Sequence, residues 1–137
     1  MSGRIVSLAD GGMAPVVAAL KAIDLGQWSY SAAAAGIVNS VTAVTIAPAV
    51  AGMRTMVTSL QITSEALGVA TEVAIRNGAA GVTLWRIKIG TAGLVGGINI
   101  NFSDPIKGSV NTLLEVVTLT ASLTGAVYIN AQGTTGA

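Results

Sequence analysis

The sequence contains no cysteine and no histidine. Without cysteine there is no disulfide framework and no thiolate metal site. Without histidine the commonest general base and the commonest metal ligand are both missing. Charge is scarce as well: 9% of the 137 residues are Asp, Glu, Lys or Arg, and the net charge is +1. The seven basic residues are scattered, only Arg86 and Lys88 lying close together, so no basic patch for nucleic acid is visible. Aromatics amount to two Trp, two Tyr and one Phe. Two long stretches, Leu25–Met53 and Val116–Ala137, carry no charge. Polar residues, Gly or Pro interrupt both, and neither holds the ~20 continuous apolar residues of a spanning helix. A transmembrane barrel needs aromatic girdles for which the residues are lacking. The first twelve residues have no apolar core of the kind that marks a secretory signal. The expectation is a chain without nucleic-acid or membrane partners and without a cofactor.

What is abundant is apolar residue, at 52%. That argues against disorder and for a single domain with a proper core. Because so few charges remain to cover the surface, much of it is expected to face other protein.

The most informative stretch is Thr71–Ile89. Two β-branched runs, Thr71–Arg76 and Val82–Ile89, flank Asn77-Gly78-Ala79-Ala80-Gly81, a connection suited to a hairpin. Thr71, Val73 and Ile75 alternate with Glu72, Ala74 and Arg76, and Trp85, Ile87 and Ile89 with Leu84, Arg86 and Lys88. Period two is the mark of a half-buried antiparallel strand. The four charges, Glu72, Arg76, Arg86 and Lys88, are expected on the wet face, and Trp85 in the core.

Further strands are expected at Gln27–Ala35, Asn39–Ile46, Met53–Ile62, Ile98–Phe102, Val110–Ala121 and Ala126–Ala131. In Met53–Ile62 the alternation places Met56, Thr58, Leu60 and Ile62 together. Thr63–Gly68 reads as a loop with one helical turn, Gly90–Gly97 as a flexible hairpin loop, Asp104–Gly108 as a turn, and Gln132–Ala137 as a Gly/Thr tail. Ala14–Leu25 fits a short helix or an extended segment equally well. This gives about eight strands with turn signals every ten or so residues, the stretch near Ile5 reading as an arm or edge strand. The expected fold is an all-β, single-domain antiparallel sandwich, best an eight-stranded jelly roll, over residues 27–137, preceded by an N-terminal arm over 1–26.

Chemistry is thinly supplied. The six carboxylates are Asp10, Asp24, Glu65, Glu72, Asp104 and Glu115. A glycosidase needs two of them facing each other, but surface and turn positions explain them better, and no enzyme is expected. The Gly90–Gly97 loop lacks the Gly-Lys-Ser/Thr of a phosphate cradle. Asn101-Phe102-Ser103 matches a glycosylation sequon, although Phe102 is expected to be buried. Trp28 and Tyr30 share one strand face and suit either packing or a sugar-stacking platform. Arg54, Arg76 and Arg86 suit interface ion pairs or a solvated face.

Several runs resemble one family, the small cement or head-decoration proteins of tailed bacteriophages. They are Gln27-Trp28-Ser29-Tyr30 with Gly36-Ile37-Val38-Asn39, Met53-Arg54 with Ser59-Leu60-Gln61-Ile62, and the run from Leu67 to Gly78 with Leu84-Trp85-Arg86. Lys107-Gly108, Asn111–Val116 and Val127–Gly133 complete them. The resemblance covers Gln27 to the C-terminus and is firmer for a phage structural protein than for cement in particular. It implies a jelly-roll-like sandwich, a dimer or trimer, on the outside of the capsid, assembled in the host cytoplasm and clamping neighbouring major capsid subunits. The candidate partner interface is Val16, Val17, Leu20, Ile23, Trp28, Tyr30 and Arg54. The competing expectation is a tail-fibre or baseplate module that binds host glycans through Trp28, Tyr30 and Gly90–Gly97.

Overall fold

The computed structural model describes residues 26–38, 43–120 and 124–137. Among them are nine strands: β1 (Gln27–Tyr30), β2 (Ile37–Val38), β3 (Val44–Ala47), β4 (Arg54–Ser64), β5 (Thr71–Asn77), β6 (Val82–Ile89), β7 (Ile98–Val110), β8 (Leu114–Thr118) and β9 (Ala126–Gly136). Every strand pair is antiparallel. β1 and β2 both pair with β9, at its two ends, and so act as one interrupted strand. The break contains Gly36, whose φ of 62° favours glycine and where a Cβ would lie 2.8 Å from the Val127 oxygen. Counted this way there are eight strands in two sheets of four, β1/β2–β9–β4–β7 and β3–β8–β5–β6.

Apart from the β5–β6 hairpin, each successive strand crosses to the other sheet. Crossing strands in two packed antiparallel sheets make a jelly roll, as the turn spacing led one to expect. The core lies between the sheets. Val57, Leu60, Ile62, Val127 and Ile129 come from one sheet, and Val73, Ile75, Ile89, Leu114 and Val116 from the other. Each fully buried side chain of this size contributes about 1.5–3 kcal/mol. Trp85 of β6 and Phe102 of β7 meet edge to face at 6.0 Å, tying the two sheets at one side. Both are only partly buried, so Trp85 is a flank of the core rather than its centre.

Several local expectations change. In β4 the inward set is Thr55 and Val57, then Leu60 and Ile62. A bulge between Val57 and Ser59 inserts a residue and reverses the phase, which strict alternation cannot anticipate. Asp104–Gly108 is not a turn but part of β7, and the ladder skips from Asn101 to Ile106 around it. Pro105 is tolerated because β7 is an edge strand. Conversely, Val110–Ala121 is not one strand: Asn111 takes a φ of 58° and turns the chain between β7 and β8. Gln132–Gly136 is not a tail but the end of β9, held between β1 and β4. Gly133 is needed there, since a Cβ would lie 1.8 Å from the Met56 carbonyl oxygen and 2.5 Å from the Trp28 ring.

Strand β1 ends at Tyr30 rather than at residue 35, because the chain bends away and the Ala32 N–H bonds the Asn130 Oδ1 (3.0 Å). In the 39–46 stretch, β3 occupies Val44–Ala47 and Pro48 stops it; residues 39–42 lie outside the described ones. No helical turn follows β4. Leu67 there is fully buried, its N–H on the Thr91 oxygen (2.8 Å) and its own oxygen taking the Thr124 N–H (3.0 Å). The Gly90–Gly97 loop is not a hairpin, for it carries the chain from one sheet to the other. It is pinned to Ser64, whose N–H bonds the Leu94 oxygen (3.1 Å) and whose hydroxyl takes the Leu94 N–H (2.7 Å).

Candidate interaction surface

The predicted interface divides three ways. Val16, Val17, Leu20 and Ile23 lie outside the described residues. Trp28 and Tyr30 do share a face of β1, but it is the inner one, and both rings pack against the core. Tyr30 sits with Ile37, Ile46, Val127 and Ile129. Arg54, at the start of β4, is exposed and donates from Nη1 to the Gly108 oxygen at 3.3 Å. Among the described residues it has no carboxylate partner.

Around Trp28 the chain builds a groove that the sequence did not announce. It has a volume of about 430 Å³ and lies where β1 begins, beside the β3–β4 connection. Ala47, Pro48, Val50 and Met53 form one wall, Gly26, Gln27 and Trp28 the other, with Thr55 and Thr135 at its inner end. The lining is mostly apolar and carries no charge. Thr55 is completely buried, and its hydroxyl has no hydrogen-bond partner among the described residues. A buried polar group is ordinarily satisfied, so this one is an energetic cost at the base of the groove. Gly26 enters the fold at the groove's lip, its oxygen held by the Thr135 N–H (2.6 Å) and hydroxyl (3.2 Å).

The same end of the sandwich also exposes Met53, Val82 and Val110, at 42%, 74% and 39%. The backbone explains the cluster. Arg54 pairs with Val110 across β4 and β7, Asn77 pairs with Val82, and the Asn111 N–H bonds the Met53 oxygen at 3.0 Å. Sequence reading treated Ala49–Gly52 as a bare connection and missed this wall. The available signal was Met53 directly after a turn glycine, Gly52 at φ 74°.

The charged residues proposed for an interface are mostly engaged within the chain. Arg76 is on the outer face of its sheet, opposite to core Ile75, but is only partly exposed because it grips Glu115, which is 5% exposed. Arg86 bonds Glu72 at 3.3 Å, and Lys107 stands 3.9 Å from Asp104. Glu65 accepts from the Tyr128 hydroxyl at 3.2 Å, and this bond, with some burial and the carboxylate's charge, raises the phenol above its ordinary value of 10.0. Each of these four carboxylates therefore has a neighbour. Among the described residues no three ligating side chains converge to hold a metal.

No family model matches the chain, and no curated protein does. Among solved structures it is similar to the coat protein of tobacco streak virus, at 11% identity over 81% of this chain and 87% of that one, with a TM-score of 0.39. It is also similar to a structure of infectious bursal disease virus, Gt strain, at 17% identity over 80% of this chain and 29% of that one, TM-score 0.22. Likenesses at these scores carry no weight of their own, and the jelly-roll assignment rests on strand order and register.

Proposed function

We propose that this chain is a non-catalytic structural protein of a virion. It binds the outer surface of the capsid shell and clamps neighbouring major capsid subunits, as a cement or decoration protein. The observation that carries the reading is the apolar end of the sandwich. There a charge-free groove includes exposed Met53, and Val82 and Val110 are exposed at the same end of the sandwich. Such a surface fits contact with protein better than with solvent.

The mechanism is multivalent attachment. A copy that touches two subunits, or that associates with itself as a dimer or trimer, adds weak contacts through high effective concentration. The mainly apolar Met1–Leu25 segment precedes Gly26 in the chain and is suited by its sequence to serve as a strap through Val16, Val17, Leu20 and Ile23. Ordering it costs chain entropy that the burial offsets. Arg54, without a carboxylate partner among the described residues, supplies a charge beside the groove for an acidic partner group.

The test is binding to purified capsids by the full chain and by a chain lacking Met1–Leu25. The shortened chain is expected to remain folded and to lose capsid occupancy. Unchanged occupancy would overturn the strap. A tail-fibre module stacking sugars on Trp28 and Tyr30 is less well supported, because both rings are spent on packing.

A further inference from the structure

The outer face of the β1/β2–β9–β4–β7 sheet carries an ordered array of uncharged amides and hydroxyls. The register fixes one row across all four strands: Ser29, Gln132, Ser59 and Asn101 are successive cross-strand neighbours. A second row, two residues along, is Asn130, Gln61 and Asn99. Adjacent strands are ~4.8 Å apart and the rows ~6.7 Å. Gln27 stands at the next position along β1 on the same side. Six of the chain's nine Asn and Gln are thus on one face. Asn77 and Asn111, by contrast, are used to hold turns through bonds to Ser109 and Gly52.

This face is neither flat nor loosely arranged. A depression of about 510 Å³ lies over the two rows. The Ala32 N–H fixes the Asn130 oxygen at 3.0 Å, which turns the Asn130 amide N–H toward Gln61 Oε1 at 3.4 Å. Gln61 is left with its own amide N–H as a donor, and Asn99, Asn101 and Gln132 are exposed with side-chain donors and acceptors both available. Tyr128 occupies the next outward position of β9 after Asn130 and borders the array with an aromatic ring.

From this geometry we infer that the sheet face is a binding site for a neutral oligosaccharide. Its hydroxyls would exchange donor and acceptor bonds with the two amide rows, and a ring face would lie on Tyr128. The chemistry selects against other occupants. An anionic ligand finds no cation within the rows, the flanking charges being Glu65 at the Tyr128 end and Lys107 beyond Met56. An apolar ligand would strand the amides without partners. A nucleic acid needs phosphate-neutralising Lys or Arg, which the rows lack. The site is independent of the shell-clamping reading, because it lies on a face away from the Trp28–Met53 groove. A single site of exposed hydrogen bonds is weak, and many copies on a particle would raise its avidity.

The experiment is titration calorimetry of the full chain against neutral hexasaccharides (malto-, cello-, manno- and N-acetylchito-oligomers), with sialyllactose and a heparin hexasaccharide as anionic probes. At least one neutral probe is expected to bind at micromolar to millimolar concentration, insensitive to added salt. The double variant Gln61→Ala, Asn101→Ala should weaken that binding about tenfold or more while its melting temperature and its capsid occupancy stay unchanged. Absence of binding to every neutral probe at millimolar concentration, binding to the anionic probes alone, or unchanged binding by the double variant would overturn the site. So would a self-associated chain that the double variant dissociates, which assigns the face to a second copy.

Discussion

Arg76 and Glu115 face one another across the β5–β8 ladder, and the guanidinium closes on a single carboxylate oxygen, Nη2 at 2.6 Å and Nε at 2.7 Å. The same oxygen accepts the N–H of Ala80 at 2.9 Å, in the β5–β6 turn. One carboxylate thus ties the turn of the hairpin to the neighbouring strand. The pair's side chains are 19% and 6% exposed.

Removing one partner of such a pair leaves an uncompensated charge, which costs more than the pair itself contributes. Arg76→Ala is therefore expected to destabilise by about 3 kcal/mol. Replacing both residues, as Arg76→Leu with Glu115→Leu, should recover most of that loss. Urea denaturation of the two variants checks it, and a cost below about 1 kcal/mol for Arg76→Ala would mean that the pair behaves as a solvated one.

Thr55→Val keeps the shape of the groove's inner end and removes a buried hydroxyl that has no partner among the described residues. The isolated chain should gain about 1 kcal/mol in stability. Its capsid occupancy should stay unchanged, because the buried hydroxyl is out of a partner's reach. Denaturation and capsid pelleting give the two readouts separately. A loss of stability would show that the hydroxyl is already satisfied within the chain.

Gly93 and Gly96 give a matched contrast in one loop. Gly93 has a φ of 77°, and a Cβ there would lie 2.1 Å from the Glu65 carbonyl oxygen, while Gly96 has nothing within 4 Å. Gly93→Ala is expected to cost about 2 kcal/mol or more and Gly96→Ala less than about 0.5. Comparable effects in thermal unfolding would contradict the pinned loop.

Tyr128 gives the pH dependence. Its hydrogen bond to Glu65, then partial burial, then the carboxylate's charge, raise the phenol above 10.0. A folded-state value above the unfolded one means that the bond's contribution is fully present below pH 10 and is lost as pH rises through the raised value. Ultraviolet titration of the phenol should show Glu65→Gln moving the Tyr128 transition back toward its ordinary position. An unmoved transition would remove Glu65 as the cause.

The fold was legible where alternation was uninterrupted. The β5–β6 hairpin could be read from Thr71–Asn77 and Val82–Ile89, because inward Val73 and Ile75 pair with Ile87 and Trp85 and the one register shift falls beyond them, at Arg76 near the turn. It was misread where the ladder slips in mid-strand. The Val57–Ser59 bulge reversed the face of half of β4, and the skip around Pro105 disguised a strand as a turn. Alternation reports local periodicity and cannot see a partner strand supply the missing residue. Glu115 was opaque for a related reason. Nothing local distinguishes a charge facing water from one facing Arg76 thirty-nine residues away.

The surfaces were less legible than the fold. Trp28 was singled out, but its place as one wall of a groove with Pro48, Val50 and Met53 depends on two sheet edges meeting. The amide face is invisible along the chain because its members come from four strands. Gln61 and Asn130 become neighbours only through the β4–β9 register.

The central claim, attachment to the outside of a capsid shell, is tested most directly by cryo-electron microscopy of the intact particle. The account predicts density for this chain in hundreds of copies per head, a stoichiometry set by the shell lattice, with the Trp28–Met53 end of each sandwich seated on capsid subunits. A few copies confined to the tail or baseplate, or density inside the shell, would contradict it.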